Sequence, residues 1–376
     1  MSFLIESRPI ILAAGGTGGH VYPALAVAKV LLERAWSIAI ITDDRGTAFG
    51  NQEFAAEIHH IKAASPTGSL FNKIVSLTQL GAGFLQARAI LKKLKAVAAI
   101  GFGGYPSLPT MCAAAQIGLP TIIHEQNAVL GRANRILIPS VTKIATSFDQ
   151  VKGLRPKAIP KVVKTGNPVR SEISEIGKKA YSALSSEGKL NILVFGGSQG
   201  AQILSQVVPR AMASLSDKLK SRLTLTQQCR PEDLDQAQNI YDAANIQTNL
   251  QPYLNNMPEL LSAANLVIAR AGASTISELV AAKRPAILIP YPHAMDDHQT
   301  ANASAITSSG ASWCLPEHTF TAGRLAHKIQ ELMDNPNLLA DAAAKSECLY
   351  KLNAAENLAD ILEKIIRKRN QGGAVI

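Results

Sequence analysis

The sequence of 376 residues carries 38 lysine and arginine residues against 28 aspartate and glutamate residues, a formal net charge of +10. Hydrophobic residues make up 47% and charged residues 18%, which excludes a disordered chain and predicts a globular protein of two domains. Only 5% of the residues are aromatic, and no basic stripe alternates with stacking side chains, which argues against a nucleic-acid partner. The four cysteines are widely spaced without a CxxC pair, which favours reduced thiols over a zinc site or a disulfide framework.

Neither the N-terminal segment nor the middle of the first half predicts a membrane-inserted segment. The opening MSFLIESRPI lacks the basic region, apolar core and cleavage site of a signal peptide. Residues 96–124 hold no charged residue before the final histidine, but GFGGYPSLP would break a spanning helix.

The first half alternates short apolar runs with helical patterns. This rhythm predicts a parallel sheet with helices on both faces. Strands are predicted at 9–14, 37–42, 96–103 and 120–127, with helices at 23–35 and 84–95.

The rhythm restarts at 189–215, where a strand again runs into a glycine loop and a helix. The fold class is therefore predicted as α/β, with two Rossmann-like domains joined near 166–177 and a ligand cleft at the carboxyl ends of their strands. Further strands are predicted at 222–228, 265–270, 285–291 and 311–315, with a last helix at 354–370.

Two glycine loops occupy corresponding places, GGTGGH at 15–20 and GGSQGA at 196–201. A loop between strand and helix offers backbone N–H groups at a helix N-terminus, which suits anionic or sugar-phosphate ligands. The alternative is that glycine only permits a tight turn. A dinucleotide-binding oxidoreductase also stays open, because Asp43 and Asp44 follow the second strand, although neither loop is a clean GxGxxG.

Polar residues follow several predicted strands. His20 at the edge of the first loop is a candidate general base or hydroxyl ligand. The run His124, Glu125, Gln126 and Asn127 could bind hydroxyls of an acceptor or cap the next helix. In RAGASTISEL, Glu278 could hold a ribose diol, or it could form a capping box with Thr275.

The stretch 69–95 combines apolar residues with Lys92, Lys93 and Lys95. This composition suits a protein lying on an anionic membrane surface, and the alternative is that the apolar residues are domain core. Acidic pairs at 233–235 and 296–297 are interpreted as a solvated helix face and a polar loop, so no metal site is predicted.

These motifs, in the order GGTGGHVYPALAVA, GFGGYPS, HEQN, GNPVR, GGSQGA, RAGASTISE and PYPHAMDDHQTANA, resemble the MurG family of glycosyltransferase family 28 across residues 9–345. The resemblance implies a GT-B fold and inverting, cofactor-free transfer of N-acetylglucosamine from UDP-N-acetylglucosamine (UDP-GlcNAc) to lipid I, undecaprenyl-diphosphate-linked MurNAc-pentapeptide. It also implies a peripheral enzyme on the cytoplasmic face of the bacterial inner membrane, with cell-wall synthesis proteins as further partners. The other enzymes weighed are a diacylglycerol glycosyltransferase and a UDP-GlcNAc 2-epimerase, and a non-enzymatic binding module is the remaining alternative.

The resemblance implies a role for each domain. Residues 1–168 would face the lipid acceptor and the membrane, and residues 169–345 would bind UDP-GlcNAc. Residues 346–376 would form a helix packing back towards the N-terminal domain.

The resemblance also assigns residues to the site. His20 would be the catalytic base, with Glu125 as a second catalytic candidate. Gln228 receives no role, because RLTLTQQCRPED departs from relatives that often have glycine after the paired glutamine. The substrate-binding residues would be Thr17, Gly18, Gly19, Asn127, Arg170, Ser198, Leu254, Ala273, Ser274, Thr275, Ile276, Ser277, Glu278 and Gln299.

Overall fold

The computed structural model describes residues 8–15, 18–44, 56–66, 69–185, 187–197, 200–349 and 353–372. The chain divides into two compact units. Unit 1 comprises Met1–Arg170 together with Lys351–Ile376, and unit 2 comprises Ser171–Tyr350.

Unit 1 is built on a parallel sheet of seven strands. The strands are β1 (Ile10–Ala13), β2 (Ile38–Thr42), β3 (Glu57–His60), β4 (Ala98–Gly101), β5 (Thr121–Glu125), β6 (Lys143–Thr146) and β7 (Val162–Lys164). Their order in the sheet is β3-β2-β1-β4-β5-β6-β7. The helices of this unit are α1 (Gly18–Glu33), α2 (Leu70–Lys93), α3 (Gly104–Gln116), α4 (Arg132–Leu137) and α14 (Ala354–Gly372).

The central strands of this sheet are buried on both faces. Every residue of β1 is fully buried, and Ile10 pairs with Ile38 of β2 and with Ala98 of β4. Side chains on one face pack against α1 and α14, and those on the other face pack against α2, α3 and α4. Continuous apolar strands are therefore stable here, because helices cover both sides.

Helix α14 completes the core of unit 1 from the far end of the chain. Its Leu358 and Leu362 are fully buried in the same cluster as α1. At the surface, Asp360 accepts a hydrogen bond from Arg34 at 2.6 Å, and Glu363 accepts one from the indole of Trp36 at 2.9 Å.

Unit 2 repeats the architecture with a six-stranded parallel sheet. The strands are β8 (Leu190–Phe195), β9 (Leu223–Gln228), β10 (Gln247–Gln251), β11 (Leu266–Ala269), β12 (Ala286–Leu288) and β13 (Ser312–Cys314). Their order is β10-β9-β8-β11-β12-β13. The helices are α5 (Ser171–Gly177), α6 (Gln202–Ala213), α7 (Asp217–Lys220), α8 (Leu234–Ala243), α9 (Met257–Ala263), α10 (Ala273–Ala281), α11 (His298–Thr307), α12 (Ala322–Asp334) and α13 (Asn337–Leu349). Short 3-10 turns span Pro156–Lys161 in unit 1 and Pro231–Asp233, Met295–Asp297 and Glu317–Thr319 in unit 2.

Two helices begin earlier than the sequence predicts. Helix α1 starts at Gly18, not at residue 23, so the second glycine pair of the first loop forms its first turn. Helix α2 starts at Leu70, not at residue 84, with Ser69 as a side-chain N-cap. The first turn of α1 contains two glycines, and the first turns of α2 have few residues that face the core. Neither segment therefore shows the apolar periodicity by which a helix is recognised in a sequence.

Four strands escape prediction because their sequences lack an apolar run. Strand β3 reads EIHH and β10 reads QTNLQ, and both lie at sheet edges where half of each strand meets solvent. Strands β6, KIAT, and β7, VVK, each hold only two consecutive apolar residues.

Helix α2 passes so close to the preceding segment that one turn requires glycine. A Cβ at Gly83 would overlap the carbonyl oxygen of Lys62, whose N–H is bonded to the Gln86 side chain at 2.8 Å. A Cβ at Gly81, two residues earlier, would meet no atom within 4 Å. The helix therefore requires glycine at position 83, whereas position 81 has room for a side chain.

We expect Gly83→Ala to lower the free energy of unfolding by about 1–3 kcal/mol, because the added methyl group must push α2 away from Lys62. Gly81→Ala is the matched control and should raise it by about 0.5–1 kcal/mol, because alanine favours an exposed helix position. Urea denaturation followed by circular dichroism measures both. Equal effects of the two substitutions would contradict the close approach at Gly83.

Candidate active site

The glycine loops lie at the topological switch point of each sheet. In unit 1 the neighbouring strands β1 and β4 lead into Gly18 and Gly103, and in unit 2 the neighbouring strands β8 and β11 lead into Gly196 and Gly272. Chains that leave adjacent parallel strands in opposite directions open a crevice at the carboxyl ends, which is where α/β proteins bind ligands.

His20 packs against two glycines from the neighbouring strand. Gly103 and Gly104 have φ values of +88° and +72°, a region that favours glycine. A Cβ at Gly103 would lie 3.2 Å from Cε1 of His20, and one at Gly104 would lie 3.4 Å from its Cδ2. Gly103 and Gly104 thus leave a surface without side chains for the imidazole, a role that the sequence did not reveal.

Two glycines of the first loop also make room for side chains of the protein itself. A Cβ at Gly18 would lie 2.8 Å from the Tyr22 ring, and the guanidinium of Arg170 stacks on that ring at 4.7 Å from its centre. A Cβ at Gly15 would lie 2.7 Å from the buried carboxylate of Asp43. Gly19 follows Gly18 in the first turn of α1, and Thr17 lies outside the described residues.

Glu125 is a buried carboxylate that organises the loop after β5. Its Oε1 accepts hydrogen bonds from Asn127 N at 3.1 Å and Asn127 Nδ2 at 3.5 Å. Its Oε2 accepts from Gly131 N at 2.8 Å and Asn134 Nδ2 at 2.9 Å. Burial raises the pKa of Glu125, and these hydrogen bonds oppose the rise because they favour the carboxylate. Both oxygens are thus occupied by the loop and by the start of α4.

His124 is held neutral in one tautomer. Its Nε2 lies 3.0 Å from the carbonyl oxygen of Gly166 and must donate to it, which leaves Nδ1 to accept from Gln126 Nε2 at 3.1 Å. The same Gln126 nitrogen donates to Phe102 O at 2.7 Å. Complete burial lowers the pKa of His124 to about 4. His124 and Gln126 therefore hold the loops after β4, β5 and β7 together.

In unit 2, α10 begins immediately after β11 with Gly272 as its N-cap. Thr275 is the third helical residue and does not cap the helix, so the capping-box interpretation of Thr275 and Glu278 is wrong. Glu278 is buried in the second turn. Backbone N–H groups of the first turn, from Ala273 to Thr275, are the groups that this helix can direct at an anion.

Three further predicted residues of α10 differ in their surroundings. Ile276 is a core side chain, and its backbone N–H donates to Gly272 O at 2.9 Å. The Ser277 hydroxyl donates to Ala273 O at 2.8 Å within the helix. Ser274 is half-buried in the first turn.

Gln299 joins two loops through its amide oxygen. That oxygen accepts hydrogen bonds from Ala271 N at 3.1 Å and from Tyr291 N at 2.9 Å. Because the oxygen is engaged, the amide nitrogen is the group that Gln299 can offer a ligand. Asn302 supports the same loop by donating to Ala271 O at 3.2 Å.

The remaining predicted positions of unit 2 lie on the loops after β8 and β10. Leu254 is buried, whereas its neighbour Tyr253 is exposed. Ser198 lies outside the described residues. The interpretation of 233–235 as a solvated helix face is wrong for Asp233, which is buried and accepts a hydrogen bond from Arg230 Nε at 2.9 Å.

Sequence reasoning missed Gly103, Gly104, Tyr22, Asn134 and Gln228 as parts of the site. The glycines belong to a motif that was recognised, GFGGYPS, and their positive φ values explain it. Asn134 and Gln228 act through hydrogen bonds to residues 9 and 32 positions away, for which the sequence carries no periodic signal.

Comparison with known proteins places both units in one family. The N-terminal domain model of glycosyltransferase family 28 matches residues 10–146, and its C-terminal domain model matches residues 191–364. A relative from Paramagnetospirillum magneticum is 48% identical, covering 98% of this chain and 99% of its own. A relative from Rhodospirillum centenum is 47% identical, covering 95% and 94%. Both are named UDP-N-acetylglucosamine–N-acetylmuramyl-(pentapeptide) pyrophosphoryl-undecaprenol N-acetylglucosamine transferase.

The crystal structure of Acinetobacter baumannii MurG superposes with a TM-score of 0.76 at 30% identity, covering 95% of this chain and 99% of that one. The predicted α/β fold of two Rossmann-like, GT-B domains is thereby confirmed. The chain belongs to glycosyltransferase family 28, in its MurG branch.

Proposed function

We propose that this chain transfers N-acetylglucosamine from UDP-GlcNAc to the 4-hydroxyl of the muramyl sugar of lipid I, with inversion at the anomeric carbon. The observation that supports this most directly is that relatives carrying this transferase name align with nearly its whole length. The glycine loops that open onto helix N-termini in both units suit the diphosphates of donor and acceptor.

Unit 2 would hold the donor. The loop after β8 and the N-terminus of α10 would bind the diphosphate, and the loop around Leu254 would contact uracil. Glu278 would bind the ribose hydroxyls, and the amide nitrogen of Gln299 would donate to the transferred sugar. The N–H groups of Ala273 to Thr275 would stabilise negative charge as the diphosphate leaves.

Unit 1 would hold the acceptor, with His20 as the base that removes the proton from the attacking hydroxyl. The glycine surface at Gly103 and Gly104 would fix the plane of the imidazole. Glu125 would act on catalysis through Asn127, because its own oxygens are engaged by the loop. Arg170, held against Tyr22, would reach the nucleotide-sugar.

Helix α2 would bind an anionic membrane surface. From Leu70 to Gln79 every residue except Ser76 is exposed, including Leu70 (76%), Phe71 (73%) and Leu77 (63%). By length and composition, α2 is the one helix among the described residues that could cross a bilayer, but its second half packs on α3 in the core of unit 1. The first three turns would lie in the membrane interface, because they expose apolar side chains while the second half of the helix stays in the protein core.

Three of the four basic residues of α2, Arg88, Lys92 and Lys93, lie in the second half of the helix. Lys92 is 15 residues beyond Leu77, which is about 22 Å along the helix axis. Lys73 is the cation that lies among the exposed apolar side chains. Insertion would therefore depend on the apolar turns more than on Lys92 and Lys93.

Thermal unfolding with added nucleotides tests the proposed activity. UDP-GlcNAc should raise the melting temperature more than UDP-glucose or UDP-GalNAc, and NADH should not raise it.

His20→Ala should lower kcat on a lipid I analogue by about 100-fold or more while the Kd of UDP changes less than twofold. His60→Ala, at the edge strand β3, is the matched control. Stabilisation by NADH alone would contradict the transferase, and unchanged kcat would remove His20 from the mechanism.

Glu125→Gln should lower the free energy of unfolding by about 1–3 kcal/mol. The amide nitrogen of glutamine would replace one carboxylate oxygen and would face N–H groups that donate to that oxygen now. Asn134→Leu removes one of those donors and should be non-additive with Glu125→Gln in a double-mutant cycle. Denaturant melts of the three variants measure the coupling. Additive effects, or a loss of kcat without a loss of stability, would show that Glu125 acts outside this network.

Replacement of Phe71 and Ile74 by serine should weaken binding to phosphatidylglycerol vesicles about tenfold or more, because two apolar side chains no longer leave water. Lys92→Glu with Lys93→Glu should have a smaller effect that disappears at high salt. Vesicle co-sedimentation measures both, with phosphatidylcholine vesicles for comparison. Wild-type binding by the serine variant would indicate that another surface contacts the membrane.

A further inference from the structure

Gln228 is a buried amide at the carboxyl end of β9. Its Oε1 accepts a hydrogen bond from Gly196 N at 3.0 Å. Its Nε2 donates to Gly197 O at 3.0 Å and to Pro252 O at 3.5 Å. One side chain therefore contacts two separate loops.

The sheet order explains how Gln228 reaches both. Strand β9 lies between β8 and β10, so its last residue is flanked by the loops that follow these two neighbours. Gly196 and Gly197 begin the GGSQGA loop, and Pro252 precedes Leu254 by two residues. Gly197 has a φ of +91°, so the carbonyl that Gln228 binds belongs to a backbone conformation that favours glycine.

We propose that Gln228 is a positioning residue that sets the spacing between Gly196–Gly197, where the loop after β8 begins, and the loop at 252–254. This inference rests on the proposed function, in which the first loop binds the diphosphate and the second contacts uracil. UDP would bridge the two loops, so a side chain that fixes their separation pre-organises the protein for the nucleotide. The amide supplies an acceptor for Gly196 through Oε1 and two donor hydrogens for Gly197 and Pro252 through Nε2.

The adjacent residue provides a matched control. Gln227 is also a buried amide of β9, but it points to the other face of the sheet. Its Oε1 accepts from the Tyr241 hydroxyl at 2.6 Å, and its Nε2 donates to Leu204 O at 3.4 Å, so its partners are helices of the core. Loss of either glutamine removes buried hydrogen bonds, but only loss of Gln228 frees the two loops.

The test compares Gln228→Met with Gln227→Met. The Kd of UDP is measured by titration calorimetry well below the unfolding temperature, and steady-state kinetics give the KM of each substrate. We expect Gln228→Met to raise the Kd of UDP and the KM of UDP-GlcNAc about tenfold, with the KM of a lipid I analogue unchanged. Gln227→Met should lower the melting temperature with a Kd of UDP within twofold of wild type.

A second variant keeps the test decisive if Gln228→Met does not fold. Gln228→Glu retains the acceptor for Gly196 and loses only the donor to the two carbonyls, so it should also weaken UDP binding about tenfold. UDP affinity within twofold of wild type in the folded Gln228 variants would overturn the inference. Absence of UDP binding by the wild-type protein would instead contradict the proposed function.

Discussion

Both sheets consist entirely of parallel strands, and this constraint places the loops that carry the candidate site at one edge of each sheet. Parallel strands buried by helices on both faces are largely apolar along their length, so polar groups collect mainly where the strands end. In unit 1 the carboxyl ends of β1, β4 and β5 bring His20, Gly103 and Glu125 to one edge, although they are far apart in sequence. In unit 2 the same rule gathers the loops after β8, β9 and β10.

The glycines of these loops meet side chains of the protein at short distances. Gly18 adjoins Tyr22, Gly15 adjoins Asp43, and Gly103 adjoins His20. In the second loop, a Cβ at Gly200 would lie 3.0 Å from the stem of Arg230. A glycine loop is usually explained by the close approach of a phosphate. Here the loops also require glycine because neighbouring side chains already occupy the space that a Cβ would need.

The sequence was sufficient for the elements whose residues are continuously apolar. Strands such as IILA and LVIA are recognisable because burial on both faces demands such runs, whereas β10, QTNLQ, is a polar edge strand that only its pairing with β9 defines. The polar run after β5 was recognised, but the partners of Glu125 lie up to nine residues downstream. Hydrogen bonds of this kind depend on loop conformation, which has no periodic signature in the sequence.

Unit 1 is discontinuous, since α14 returns to it after all of unit 2 has been traversed. During synthesis, the face of β1 and α1 that receives Leu358, Leu362 and Ile366 stays uncovered until the ribosome has completed unit 2. Unit 2 has its whole sheet and core in one segment and can fold first. The N-terminal unit would then be the last to reach its final stability, although its strands are synthesised first.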